Sequence, residues 1–308
     1  MDREDIVLKV KEDTGINTTE IDTLCHNHID RVQDRIASGM YCEDQIVKTH
    51  DFSWLIDYAE VNLTPTYSTG TVAITQDSTA VTGTSTVWED HAGWLMVING
   101  GDEYYEVSEV GGNTDITLTS AYIGDAVTTA SYVLYKIYYP LASTFKQMKW
   151  AKQVITPQRV IPLTEFEMAE FYPDEFRQTG ELAGYIVSGQ DSSGNKLIRF
   201  LPYQTTRKRV YYCFEIDLAT INTTGAESVI PSKWHMLFVF GLNEVIWKRH
   251  DRQDKVQAAK DNFNEMIVAF VKEDKKISKD RVSSMQDERI IGRRISHPQF
   301  PSNYPRVW

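Results

Sequence analysis

Ile230-Pro-Ser-Lys-Trp-His-Met-Leu-Phe-Val-Phe-Gly-Leu-Asn-Glu-Val-Ile-Trp-Lys-Arg-His250 is the stretch on which the fold class turns. Pro231 stands where a first helical residue tolerates a missing N–H. Trp234, Leu237, Phe238, Gly241, Leu242 and Val245 then follow at steps that build one broad apolar face. Asp251 opens a second helix, with Val256, Ala259, Phe263, Met266, Ile267 and Phe270 on one side. A tight link near His250 should pack the two as an αα-hairpin. The apolar run from Trp234 to Trp247 is too short for a membrane span of about 20 residues and is broken by Asn243 and Glu244.

Working toward the N-terminus, residues 140–229 read as mixed. Thr164-Glu-Phe-Glu167 is a capping box for a short helix carrying Phe166, Ala169 and Phe171 and stopped by Pro173. Strands are expected over 182–188, 196–202 and 209–217, with Gly189-Gln-Asp-Ser-Ser-Gly194 as the turn between the first two. Residues 62–139 hold 14 threonines, Lys136 as their only basic residue, and no proline after Pro65. Strands are expected there over 71–75, 79–82, 94–98, 104–110, 115–119 and 131–139. Turns fall at Gln76-Asp-Ser78, Asn99-Gly-Gly-Asp102 and Gly111-Gly-Asn113. That describes a small antiparallel sandwich or barrel, inserted between helical or mixed segments. Residues 1–61 read as helical. Ile6, Val7 and Val10 mark a short amphipathic piece, and Ile21, Cys25, Ile29, Val32 and Ile36 line one face of a longer helix, capped near Thr18 or Thr19 and stopped by Gly39. The expected class is therefore α+β.

Charge is unevenly spread over the 308 residues and their net −11. Residues 1–60 carry 6 basic and 14 acidic side chains, residues 61–140 one basic and 9 acidic, and residues 141–274 balance at 17 and 17. Residues 275–308 carry 8 basic and 3 acidic groups. An acidic body argues against phosphate-backbone binding as the main task, since that needs clustered Lys and Arg. The basic tail suits either nucleic acid or an acidic neighbour, and the chain itself supplies an acidic surface. The acidic start Met1-Asp-Arg-Glu-Asp5 has no apolar stretch. Cys25, Cys42 and Cys213 are odd in number and widely spaced, which excludes a disulfide framework and points to synthesis in a reducing cytoplasm.

Enzyme signatures are absent from the sequence: no phosphate loop, dinucleotide fingerprint, Gly-x-Ser-x-Gly or His-Glu-x-x-His. In Cys25-His26-Asn27-His28 the two histidines lie about 200° apart on a helix and cannot share one ion. His50-Asp51 and Asp90-His91 read as fortuitous neighbours, because adjacent strand residues point apart. Glu103, Glu106 and Glu109 fit a solvated strand face rather than a calcium loop. Arg207-Lys208-Arg209 fits a solvated turn or an ion pair. No catalytic residue, cofactor or metal is expected.

The C-terminal stretch His297-Pro-Gln-Phe-Pro-Ser-Asn-Tyr-Pro-Arg-Val-Trp308 has three prolines and must be extended. An unattached polar tail has no reason to carry Phe300, Tyr304 and Trp308. These three, with Arg289, Arg293, Arg294 and Arg306, are the candidate assembly residues; an ordered tail of this kind implies a receiving groove on its own body or on a neighbour, the next subunit or the portal.

The order of elements resembles the adaptor (head–tail connector) proteins of tailed bacteriophages. The matching residues are Leu163-Thr-Glu-Phe-Glu-Met-Ala-Glu-Phe-Tyr-Pro173, Thr179-Gly180, Tyr185, Leu197-Ile-Arg-Phe-Leu-Pro202, Val210-Tyr-Tyr-Cys-Phe-Glu215, and Ile230 through Gly241. Gly70-Thr-Val72, Ala80-Val-Thr-Gly-Thr-Ser-Thr-Val-Trp88, Tyr104-Tyr-Glu-Val107, Leu118 and Tyr132 resemble a β module of phage tail and neck proteins. Many adaptors lack that insertion. The resemblance implies a helical adaptor core of N-terminal helices (1–61) and a C-terminal hairpin (230–275). To these it adds an inserted β domain (62–139), a mixed part (140–229) and an extended docking arm (276–308). It further implies a non-enzymatic virion protein made in the host cytoplasm: a homo-oligomeric ring, commonly a dodecamer, at the neck. Its partners would be the portal protein above and tail, nozzle or tube proteins below, with genomic DNA passing through unbound. The alternative is a collar or fibre-attachment protein binding through the β module.

Overall fold

The computed structural model describes residues 2–155, 159–172, 180–204, 206–223 and 225–286, with side chains through Lys276. The chain is mixed α and β. Helices α1 (Arg3–Thr14) and α2 (Thr19–Ala37) precede a hairpin, β1 (Tyr41–Glu43) and β2 (Ile46–Lys48). After β3 (Ile56–Leu63) come β4 (Thr71–Ile74), β5 (Ala80–Thr84), β6 (Leu95–Ile98), β7 (Tyr105–Val110), β8 (Asp115–Leu118), β9 (Val127–Ala130) and β10 (Tyr132–Tyr135). Then follow β11 (Tyr139–Pro140), β12 (Phe145–Gln153), β13 (Arg159–Pro162), α3 (Glu165–Phe171), β14 (Gly184–Gln190), β15 (Lys196–Leu201) and β16 (Lys208–Ile216). Helices α4 (Met236–Arg249) and α5 (Gln253–Gln286) close the described chain. Two compact units result. One is helical and built from both chain ends, up to Leu55 and from Ala219 on; the other is the β unit Ile56–Leu218.

In the helical unit, α1 starts on a capping box: Asp5 N–H donates to Asp2 Oδ1 at 2.9 Å and Asp2 N–H to Asp5 Oδ2 at 3.4 Å. Gly15, in the left-handed region at φ 71°, ends it. The stripe Ile21, Cys25, Ile29, Val32 and Ile36 is buried as its spacing predicts, and so is the hairpin core of Trp234, Leu237, Phe238, Phe263, Ile267 and Phe270. A Cβ on Gly241 would lie 2.5 Å from Val32 Cγ1, so the missing side chain sets how closely α2 and α4 approach. Phe270 stacks between Phe52 (centroids 4.4 Å) and Trp234 (4.7 Å). Asn264 on α5 pairs with the hairpin edge, accepting from Cys42 N–H at 2.7 Å and donating to Cys42 O at 2.8 Å.

Two seven-stranded sheets make up the β unit. The first has the order β10-β6-β7-β8-β5-β4-β9. Its outer members β9 and β10 are separated in sequence by Ser131 alone, and Tyr67 bridges Leu134 just ahead of the β4–β9 pairing. The sheet therefore nearly closes on itself, the barrel of the two forms, sandwich or barrel, expected for residues 62–139. Trp88 fills it, fully buried, with its Nε1–H donating to Tyr132 Oη at 3.0 Å. Tyr132 O–H in turn donates to Thr69 O at 2.6 Å. A Cβ on Gly83 would lie 2.6 Å from the Trp88 ring and 2.2 Å from Thr86 Oγ1. Gly83→Ala should therefore cost the protein about 1–3 kcal/mol through overpacking, read as a fall in urea midpoint. Retention of the wild-type midpoint would mean that Trp88 is not held in place.

The second sheet, β11-β15-β14-β13-β12-β16-β3, is antiparallel except where β13 meets β14. Its core includes Val61, Leu63, Phe145, Tyr185, Phe200, Val210, Tyr212 and Phe214.

Three expectations need correction. The N-terminal helical part stops at Leu55 rather than 61, because Ile56–Leu63 pairs with β16 along its full length. The alternation Glu60-Val-Asn-Leu63, out-in-out-in, is the signal for that strand. The inserted barrel accordingly emerges from the second sheet, between β3 and β11, rather than from helices, and both sheets belong to one compact unit. Finally, α5 continues to Gln286, past the expected start of an extended arm at 276. Residues 287–308 lie outside the described residues.

Candidate interaction surfaces

Phe300, Tyr304, Trp308, Arg289, Arg293, Arg294 and Arg306, the assembly residues expected from the sequence, all lie outside the described residues. What the fold does assemble is a solvent-facing aromatic cluster that sequence reading missed. On β16, Val210, Tyr212 and Phe214 turn into the core, so Arg209, Tyr211, Cys213 and Glu215 share the opposite face. Cross-strand register places Trp150 and Tyr58 on either side of Cys213, and Lys152 and Glu60 on either side of Tyr211. Arg159 extends the second row through its pairing with Lys152.

The rings form a contiguous set. Tyr58 and Tyr211 stack at 5.7 Å with planes 3° apart, and Trp150 lies 5.7 Å from Tyr211 and 6.2 Å from Tyr58. The Lys152 ammonium sits 5.4 Å from the Trp150 ring and 5.7 Å from that of Tyr211. Tyr58 is 44% exposed. Cys213 beneath is buried, and burial pushes its thiol above the ordinary range, so it is an inert core thiol. Beside the rings is a cavity of about 370 Å³ lined by Trp150, Ala151, Lys152 and Arg159. Glu60 pairs with Arg209, and Glu215 with Lys146 and Lys149, whereas Lys152 and Arg159 meet no carboxylate among the described residues.

A second surface is the groove of about 320 Å³ between α2 and α4, lined by His28, Arg31, Arg35, Glu244 and Lys248 among others. Glu244, 8% exposed, accepts from Arg35 Nη1 and Lys248 Nζ, each at 2.6 Å. Burial pushes its carboxyl up, but those two hydrogen-bonded cations outweigh burial and hold it below the usual carboxylate range. A carboxyl lowered on folding stabilises above its unfolded value of about 4.3 and loses that contribution as pH falls through the lower folded value. Glu244→Gln should therefore reduce stability at pH 7 and flatten its decline below about pH 4, measured as Tm against pH. An unchanged acid limb would assign that decline to other carboxylates.

The pairs weighed for catalysis resolve into structure. His50 reaches across to Asp274, at 2.8 Å, and Ser53 Oγ donates to the other oxygen of the same carboxylate at 2.6 Å. The serine proton is thus committed to the acid and not to the imidazole, so this is a clamp holding residues 50–55 to α5 and not a nucleophile with its base. His91 packs on Trp94 at 4.3 Å and Tyr67 at 4.7 Å, and burial pushes its pKa below the ordinary value. Cys25 is buried and pushed up to about 12 by desolvation. Among the described residues no group of three or more His, Cys, Asp or Glu side chains is placed to hold a metal ion, and no helix is long and apolar enough to cross a membrane. Comparison with protein-family models and with curated proteins finds no match for the chain.

Proposed function

We propose that this chain is a structural virion protein, a head–tail adaptor of a tailed bacteriophage that forms a ring between portal and tail. One observation carries the reading. The stretches that resemble adaptors, so far as they lie among the described residues, build α3, β14, β15, β16 and the entry to α4, and the two chain ends make one helical unit with the β elements inserted between them. An adaptor needs such a body to pack beside copies of itself, and a closed ring uses one patch against a different patch of the next copy. The acidic composition suits a channel wall past which DNA slides without binding. The test is the mass and image of the purified full chain, alone and with a portal ring. A closed ring of 35.3-kDa subunits, commonly twelvefold in such assemblies, that caps the portal supports the proposal. A monomer that ignores the portal overturns it, and a trimer would assign the chain to a fibre or collar attachment instead.

A further inference from the structure

We propose that the outward face of β3, β16 and β12 is a receptor for an extended proline-rich segment, and that its occupant is residues 297–308 of a second copy of this chain. The inference rests on the ring proposal only for which copy donates the segment.

The face has the chemistry such a segment requires. A polyproline II chain makes no internal hydrogen bonds, so its carbonyls are free acceptors and its proline rings seek aromatic surface. Tyr58, Trp150 and Tyr211 supply that surface, and Trp150 Nε1, Lys152 and Arg159 supply donors without a carboxylate or carbonyl partner among the described residues. The cavity beside Trp150, about 370 Å³, is large enough for an aromatic side chain between two prolines.

The tail has the matching pattern. Polyproline II has three residues per turn and rises about 3.1 Å per residue, so positions three apart share one side at roughly 9 Å spacing. Pro298, Pro301 and Tyr304 fall on that one side. Strands lie about 4.8 Å apart, so β12 and β3, separated by β16, stand roughly 9.6 Å apart. Trp150 and Tyr58 occupy facing positions on those two strands. The two rings lean together to 6.2 Å across β16, with Tyr211 5.7 Å from each, so a segment crossing the strands meets them as one aromatic ridge. The 22 residues from 287 to 308 reach roughly 70 Å when extended, enough to span to a neighbouring copy.

The charge of the face disfavours single-stranded nucleic acid, whose backbone needs a positively charged groove. Glu60 and Glu215 stand on the same side of the sheet.

The experiment places the photo-crosslinker p-benzoylphenylalanine at Phe300 in the full chain and mixes unlabelled with nitrogen-15-labelled copies before irradiation. Mass spectrometry then locates the crosslinks, and native mass gives the oligomeric state of the same sample. Crosslinks joining light to heavy copies within 56–63, 145–153 or 208–216 are expected. They should drop at least tenfold both in Tyr58→Ala and in Pro298→Ala/Pro301→Ala, the latter leaving every described contact untouched. Rings whose crosslinks land elsewhere, or only within one copy, overturn the docking while the ring proposal stands. Face crosslinks between copies without a closed ring support the docking and overturn the ring. Binding of the oligonucleotide dT15 that Tyr58→Ala abolishes, with no crosslink from Phe300 to the face, overturns the proposal in favour of nucleic acid.

Discussion

Phe263→Ala should destabilise the helical unit by about 3–5 kcal/mol, the range for emptying a buried phenylalanine site. Phe263 is 2% exposed, and three elements converge on it. Arg35 of α2 lays its guanidinium 4.0 Å over the ring. At Gly241 of α4 an added Cβ would come within 3.5 Å of Phe263 Cε2, and Val32 of α2 stands against that same glycine. The ring therefore occupies the crossing of α2, α4 and α5. Against a total stability of about 5–15 kcal/mol such a loss is about a fifth or more. With a urea m-value of about 1–3 kcal/mol/M the midpoint followed by helical circular dichroism should fall by at least 1 M. Phe166→Ala is the control. Phe166 is 77% exposed on α3, and its removal should shift the midpoint within about 0.5 kcal/mol. Equal shifts for the two variants would remove the basis for the hairpin core.

The hairpin was legible because helix periodicity survives local irregularity: on α5, Val256, Ala259, Phe263, Ile267 and Phe270 recur every third or fourth residue and are buried whatever the exposed residues are. The capping box at Thr164 was legible for a similar reason, since its two bonds, Glu167 N–H to Thr164 Oγ1 at 3.2 Å and Thr164 N–H to Glu167 Oε2 at 2.8 Å, join residues three apart. Strand signals are more fragile. β12 has register shifts between Phe145 and Gln147 and again between Met148 and Trp150. Each bulge resets the period-two alternation, so Phe145-Lys-Gln-Met-Lys-Trp-Ala-Lys-Gln153 does not read as a strand. The β1–β2 hairpin turns on Asp44 and Gln45, both at positive φ, and glutamine is not a residue that announces such a turn. The aromatic face was illegible for a stronger reason. Tyr58, Trp150 and Tyr211 are far apart in sequence and meet only because β3 and β12 both pair with β16. The proline and aromatic pattern of the tail is local in sequence, whereas the aromatic face exists only once register is set.

Truncation after Gln286 should leave the subunit folded and abolish ring assembly. Cutting there rather than after Lys276 matters, because α5 is helical to Gln286 and an earlier cut would remove its last turns. The buried hairpin residues Trp234, Leu237, Phe238, Phe263, Ile267 and Phe270 and every strand of both sheets lie within residues 2–286. The urea midpoint should therefore stay within about 0.5 kcal/mol of the full chain, as for a change outside the core. Assembly is different. Phe300, Tyr304 and Trp308 can each bury on the order of 150–250 Å², and aromatic anchors of this kind cost at least about 2 kcal/mol apiece when lost from an interface. Pro298, Pro301 and Pro305 restrict the unbound backbone, which lowers the ordering cost of docking. Arg289, Arg293, Arg294 and Arg306 add a screened attraction to the acidic surface of residues 1–140, so assembly should also weaken as salt rises. A loss of about 2.7 kcal/mol per subunit contact, little more than one such anchor, is already a hundredfold in each subunit–subunit constant. A closed ring compounds that loss around its circumference, so rings should disappear at concentrations where the full chain forms them completely. Sedimentation of both proteins at matched concentration, at low and high salt, reads the result. Normal rings from the truncated chain would show that the tail is not the clasp, and a truncated chain that fails to fold would show that it belongs to the core.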